Sequence, residues 1–179
     1  MFIYNEKFKS RKNGYYYSCP WIEHGLVFFP KKLAFCCYTG LGTGENPLIR
    51  DSFSGQKINY ERINTVRNMY RNFHKKGKIN SICAGCRFLE YKKWDNSNYI
   101  ENLYISHWTE CNAKCIYCYE RENPEEFAHS SHYKVLPFIQ EMHNLKLLKP
   151  GGMLNFGGGE PAVLDEFEVS SSFSSVSSH

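Results

Sequence analysis

The chain lacks any long hydrophobic run. Its longest apolar stretches are a handful of residues, such as Leu26-Val27-Phe28-Phe29, against the roughly 20 that a membrane-spanning helix needs. Met1 to Lys12 alternates apolar and charged residues and has neither an apolar core nor a small-residue cleavage site. No secretory signal or membrane partner is therefore expected, and the expected compartment is the cytoplasm. Also missing is a Ser/His/Asp or paired-carboxylate arrangement, so no catalytic acid or base is assigned among the seven histidines. His24 could replace one cysteine as a ligand of an upstream metal, with a surface position the favoured reading, and His107, near the Cys111–Cys118 loop, could contact a downstream cluster from behind its ligands. A disordered chain is excluded, because 42% of the 179 residues are hydrophobic and 16% aromatic.

Acidic residues are scarce in the first half. Residues 1–99 carry 17 Lys/Arg and 7 Asp/Glu, whereas residues 100–179 carry 5 and 11. The break near Asn98 predicts units at 1–97 and 98–168, followed by a disordered, nearly all-serine tail at 169–179. A basic half can attract polyanions, but the excess reads here as a solvated surface, and no nucleic-acid partner is expected.

Cysteine, by contrast, is plentiful. The eight are Cys19, Cys36, Cys37, Cys83, Cys86, Cys111, Cys115 and Cys118. In a reducing compartment, cysteines at short spacings point to metal ligation rather than disulfides, since thiolates are soft donors for zinc and iron–sulfur clusters. Three sit in Cys111-Asn-Ala-Lys-Cys115-Ile-Tyr-Cys118. Three thiolates fall one short of a closed zinc cage. A cubane cluster held by three keeps one iron open, and its low potential suits electron donation.

Periodicity places these cysteines on elements. Residues 1–18 read as one frayed strand. Trp21 to Phe29 and Leu33 to Tyr38, split by Pro30-Lys31-Lys32, read as a hairpin, and residues 39–56 as a Gly- and Asn-rich loop. Ile63, Val66, Tyr70 and Phe73 at i, i+3, i+7 and i+10 predict a helix over 60–76 that ends at Gly77. Arg62, Arg67, Arg71, Lys75 and Lys76 would form its solvated face. Tyr99 to Ser106 reads as a strand, 132–148 as an amphipathic helix ended by Lys149-Pro150-Gly151-Gly152, and Met153 to Phe156 as a second strand. Strand, loop, helix, strand predicts a βαβ unit and a parallel sheet.

Cys111-x3-Cys115-x2-Cys118, with Tyr117 before the last cysteine, resembles the signature of the radical S-adenosylmethionine (radical SAM) superfamily. Gly158-Gly159-Glu160-Pro161, about forty residues further on, is similar to its second motif. The resemblance implies a [4Fe–4S] cluster on Cys111, Cys115 and Cys118, whose open iron chelates S-adenosylmethionine. It further implies that Tyr117 packs near the adenine and that Gly158, Gly159 and Glu160 hold the methionyl ammonium. The implied activity is reductive cleavage to a 5′-deoxyadenosyl radical that abstracts a substrate hydrogen, fed by a reductant such as flavodoxin or ferredoxin. Glycines that admit a backbone to a ligand and a carboxylate that complements an ammonium agree with this. The fold class implied is α/β, an incomplete radical SAM (βα) partial barrel preceded by a small α+β cysteine-rich metal-binding domain. Only 19 residues follow Glu160, and each further βα unit needs on the order of 30, so a truncated, frameshifted or partner-completed chain is expected.

Cys19, Cys36 or Cys37, Cys83 and Cys86 resemble the auxiliary-cluster (SPASM/twitch) modules of that superfamily. The resemblance implies a second cluster there and a peptide or protein as substrate. Zinc is the rival metal at this upstream site, because four closed cysteines are its usual structural cage. Two alternative functions remain, a noncatalytic metal-binding module and an RNA-modifying enzyme that grips its substrate through Arg67 and Arg71.

Overall fold

The structure, a computed structural model, describes residues 2–29, 32–36, 58–107, 111–118 and 133–160. The expected loop at 39–56, Cys37 and the serine-rich 169–179 segment lie outside these residues. The described elements run β1 (Phe2–Lys9), β2 (Tyr15–Ser18), α1 (Pro20–His24), β3 (Gly25–Phe29), β4 (Lys32–Ala34), α2 (Tyr60–Lys75), β5 (Lys76–Asn80), β6 (Glu90–Lys93), β7 (Ile100–Ile105), α3 (Leu136–Asn144) and β8 (Leu148–Phe156).

Residues 1–18 form two strands rather than one, and each pairs with a strand from beyond α2. β1 lies antiparallel to β5 and β2 antiparallel to β6. The α2–β5 junction is tight. Gly77 turns it at φ 74°, and a Cβ there would lie 3.0 Å from the Asn5 carbonyl and 3.1 Å from the Lys9 nitrogen. Glycine alone takes this conformation without strain.

A four-stranded sheet in the order β4-β3-β7-β8 forms the centre. The expected hairpin is present in part: β3 and β4 pair antiparallel, with Phe28 opposite Leu33. Trp21 to His24, however, is helical rather than extended. Pro20 sits in the first turn of α1, where its missing N–H costs nothing, and the Cys19 Sγ accepts the Ile22 N–H. The βαβ unit forms as expected, with β7 and β8 parallel and α3 crossing between them. β8 is longer than the sequence suggests, because Lys149 to Gly152 extend it instead of ending the helix.

β3 also runs parallel to β7, pairing Phe28 with Ile105. All five residues of β3 are buried, as in a strand covered on both faces. Leu26 and Phe28 meet Leu33, Leu103, Ile105 and Ile139 in the main core, while Val27 and Phe29 pack with Ala34 on the opposite face. The charge break near Asn98 thus separates two hydrogen-bonded strands of one sheet. Among the described residues no barrel closes, and no helix is long and apolar enough to cross a membrane.

The buried face of α2 is Ile63, Arg67, Tyr70, Arg71 and His74, so Arg67 and Arg71 do not lie on a solvated face. The cause is Glu23 on α1, which is itself fully buried. The Arg71 Nε donates to the Glu23 Oε2 at 2.7 Å, and its Nη atoms donate to the Glu23, Asn96 and Ser97 carbonyls. The Tyr16 hydroxyl donates to the other Glu23 oxygen at 3.0 Å. Arg67 caps the Gly25 carbonyl at 2.7 Å and lies over the Phe35 ring at 4.8 Å. Burial lowers its pKa to about 10. Removing one member of such a hub strands a desolvated charge. Arg71→Met should therefore lose about 3–5 kcal/mol in urea-induced unfolding, whereas exposed Lys78→Met should stay within about 0.5 kcal/mol of the parent.

Candidate metal centres

Cys19 closes β2 and caps α1, Cys36 follows β4, and Cys83 and Cys86 flank a tight 3-10 turn after β5. In that turn the Cys86 N–H bonds back to the Cys83 carbonyl at 3.1 Å. These four thiols come from separate stretches of sequence, yet all line one cavity of about 300 Å³, walled by Ile22, Tyr70, Ile82 and Phe88. Burial, with Cys36 and Cys83 alongside, pushes the Cys19 thiol well above its ordinary value. Burial, with Cys36 and Cys86 alongside, pushes the Cys83 thiol up to about 12. Cys19 and Cys83 are therefore held as neutral thiols, and loading a metal there must release their protons.

Of the two adjacent candidates, Cys36 reaches the cavity, and Cys37 lies outside the described residues. The four thiols border one shared void. Among the described residues, no three His, Cys, Asp or Glu side chains are gathered tightly enough for a single ion, whose Zn–S bonds of about 2.3 Å demand close sulfurs. Four thiols are the soft donor set that either an iron–sulfur cluster or a zinc ion takes. His24 is buried against Asp95, with its Nε2 3.4 Å from the carboxylate, and it does not line the cavity.

The downstream trio is arranged differently. Cys111 and Cys115 are exposed and Cys118 is half-buried, on a segment without helix or strand. Tyr117 is 82% exposed. The parallel register sets Ile105 beside Phe156, so the segment after β7 and the Gly-Gly-Glu after β8 leave the sheet at the same end. The Gly157 N–H donates to the Ile105 carbonyl at 2.9 Å and locks the two exits together. Gly158 follows at φ 91°, and Glu160 is half-buried. Carboxyl ends of parallel strands are where α/β sheets bind ligands.

Two features here escaped sequence reasoning. A Cβ on Gly157 would land 1.7 Å from the Tyr104 hydroxyl oxygen and 2.3 Å from its ring, so the first glycine of the run is fixed by packing. His107, just past β7, is fully buried with its ring 5.1 Å from that of Tyr133. Tyr133 in turn donates to the Phe29 carbonyl. Burial holds the His107 imidazole down to about 4. No signal in the sequence separates such a core histidine from a ligand.

Against protein-family models, curated proteins and solved structures, the chain matches none.

Gly157→Ala should destabilise the protein by about 1–3 kcal/mol through overpacking. Tyr104→Ala in the same chain should recover part of that loss in a double-mutant cycle read by urea unfolding. An unfolded chain protonates His107 near its ordinary 6.5, while the folded one resists to about 4. Stability should therefore fall as pH drops through that window. His107→Gln should make the fall shallower, read as urea midpoints at neutral and acid pH. Part of the slope should remain, since burial also lowers His24 and His74.

Proposed function

We propose that the chain is a radical SAM iron–sulfur protein with an auxiliary cluster beside its sheet. The observation that supports this reading is the parallel β7–β8 pairing, in which the strands that precede the cysteine segment and Gly-Gly-Glu end side by side. The chemistry of the donor set suits the group. Cys111, Cys115 and Cys118 supply three thiolates and leave one cluster position for a ligand. When bound, the cluster supplies one electron to S-adenosylmethionine, whose C5′–S bond then breaks.

The chain's own residues bind and orient. Gly158, without a Cβ and at positive φ, lets the backbone approach the methionyl group closely. Glu160 complements its ammonium. Tyr117, exposed, offers its ring to the adenine. His107, just past β7, packs its neutral ring against that of Tyr133. Cys19, Cys36, Cys83 and Cys86, which line one cavity, would hold the auxiliary cluster. The RNA-modifying alternative loses its footing on Arg67 and Arg71, because both are buried in structural contacts.

Anaerobic reconstitution followed by iron and sulfide analysis tests the reading. The parent chain should take up about eight irons, and Cys115→Ala or Cys83→Ala about four each. Cys115→Ala should also abolish cleavage of S-adenosylmethionine. Stoichiometric zinc with no iron, or unchanged cleavage in Cys115→Ala, would contradict it.

A further inference from the structure

Lys7, Lys9 and Arg11 stand at i, i+2 and i+4 along β1 and just beyond it. Residues two apart in a strand share a face. All three are exposed, while Phe8 between them is buried. Facing this row is the β2–β6 pair, in which Tyr17 lies opposite Tyr91 with rings 5.0 Å apart. The three cations and these two tyrosines enclose one surface cavity of about 230 Å³. The Arg11 backbone N–H reaches the Tyr91 hydroxyl at 3.4 Å and ties the two walls together.

The surroundings are strongly basic. Residues 2–18 and 75–93 hold ten Lys/Arg against two Asp/Glu. Both acids are occupied, Glu6 by Lys9 at 3.3 Å and Glu90 by Lys92 at 2.8 Å. Lys7 and Arg11 form no ion pair with another described residue. The cleft thus has one wall of cations at a regular spacing and one wall of tyrosine rings. An acidic peptide would use the first wall and leave the second idle. A single-stranded nucleic acid uses both, with phosphates on the cations and bases against the rings.

We infer that this cleft binds a single-stranded nucleic acid, its phosphates along Lys7, Lys9 and Arg11 and a base against Tyr91. The site lies on strands, away from the buried arginines of α2, and it does not depend on the metal reading.

The test uses the full chain and two fluorescein-labelled probes, an oligouridylate and the matching oligodeoxythymidylate, read by anisotropy across a salt series. Three neutralised phosphates give a slope of log affinity against log salt of about −2 for a single strand. Lys7→Ala with Arg11→Ala should reduce it to about −0.7. Tyr91→Leu should weaken binding about 5- to 150-fold and leave the slope unchanged. Circular dichroism melting of each variant verifies that it folds. Preference between the two probes names the sugar, and either order supports the site. The inference is overturned by absence of binding at low salt, by unchanged affinity in folded Tyr91→Leu, or by equal affinity for a labelled oligoglutamate.

Discussion

Parallel pairing of β7 with β8 is the constraint on which the candidate chemistry depends. Two strands joined by a crossover helix must release their following segments at the same end of the sheet. Ile105 and Phe156 are therefore neighbours, and the Gly157 N–H closes the last rung onto the Ile105 carbonyl. The chain that leads to the three thiols and the one that leads to the glycine–glycine–glutamate run, some forty residues apart in sequence, leave the sheet at the same end as a result. The Tyr104 ring and hydroxyl occupy the space that a Cβ at Gly157 would need.

A second constraint joins the two charge-distinct halves. The Glu23 carboxylate is shared by Arg71 and Tyr16, and Arg71 continues to the carbonyls of Asn96 and Ser97. Those carbonyls lie just before β7. The ion pair thus orients α1 and α2 and sets where β7 begins. The same packing brings Cys19, Cys36 and the Cys83–Cys86 turn around one cavity. A cluster there would bridge the ends of β2, β4 and β5, three strands from three different sheets.

Legibility from sequence followed the physics of each element. The βαβ unit and α2 were readable because long amphipathic or β-rich segments have a strong period. The burial of Arg67 and Arg71 was not, since a helix face rich in arginine looks solvated until a buried carboxylate such as Glu23 is placed against it. The short strands β5 and β6 escaped because KGKIN carries a single large apolar residue, Ile79, and EYKK is exposed throughout, so apolar content marks neither. Cysteine spacing gave the downstream trio directly. It left Cys36 and Cys37 equivalent, and only the turn of the chain after β4 brings Cys36 to the cavity. The tyrosines and cations of β1, β2 and β6 each look like ordinary surface residues. Their meaning as a cleft comes from two strand pairs meeting.

The central claim is that Cys111, Cys115 and Cys118 hold a cluster with one iron open to S-adenosylmethionine. The most direct measurement is electron paramagnetic resonance of the anaerobically reconstituted, reduced chain before and after S-adenosylmethionine is added. With Cys83→Ala removing the upstream signal, the account predicts that the remaining cluster spectrum changes on addition. A loaded downstream cluster whose spectrum is the same with and without the nucleotide would contradict it.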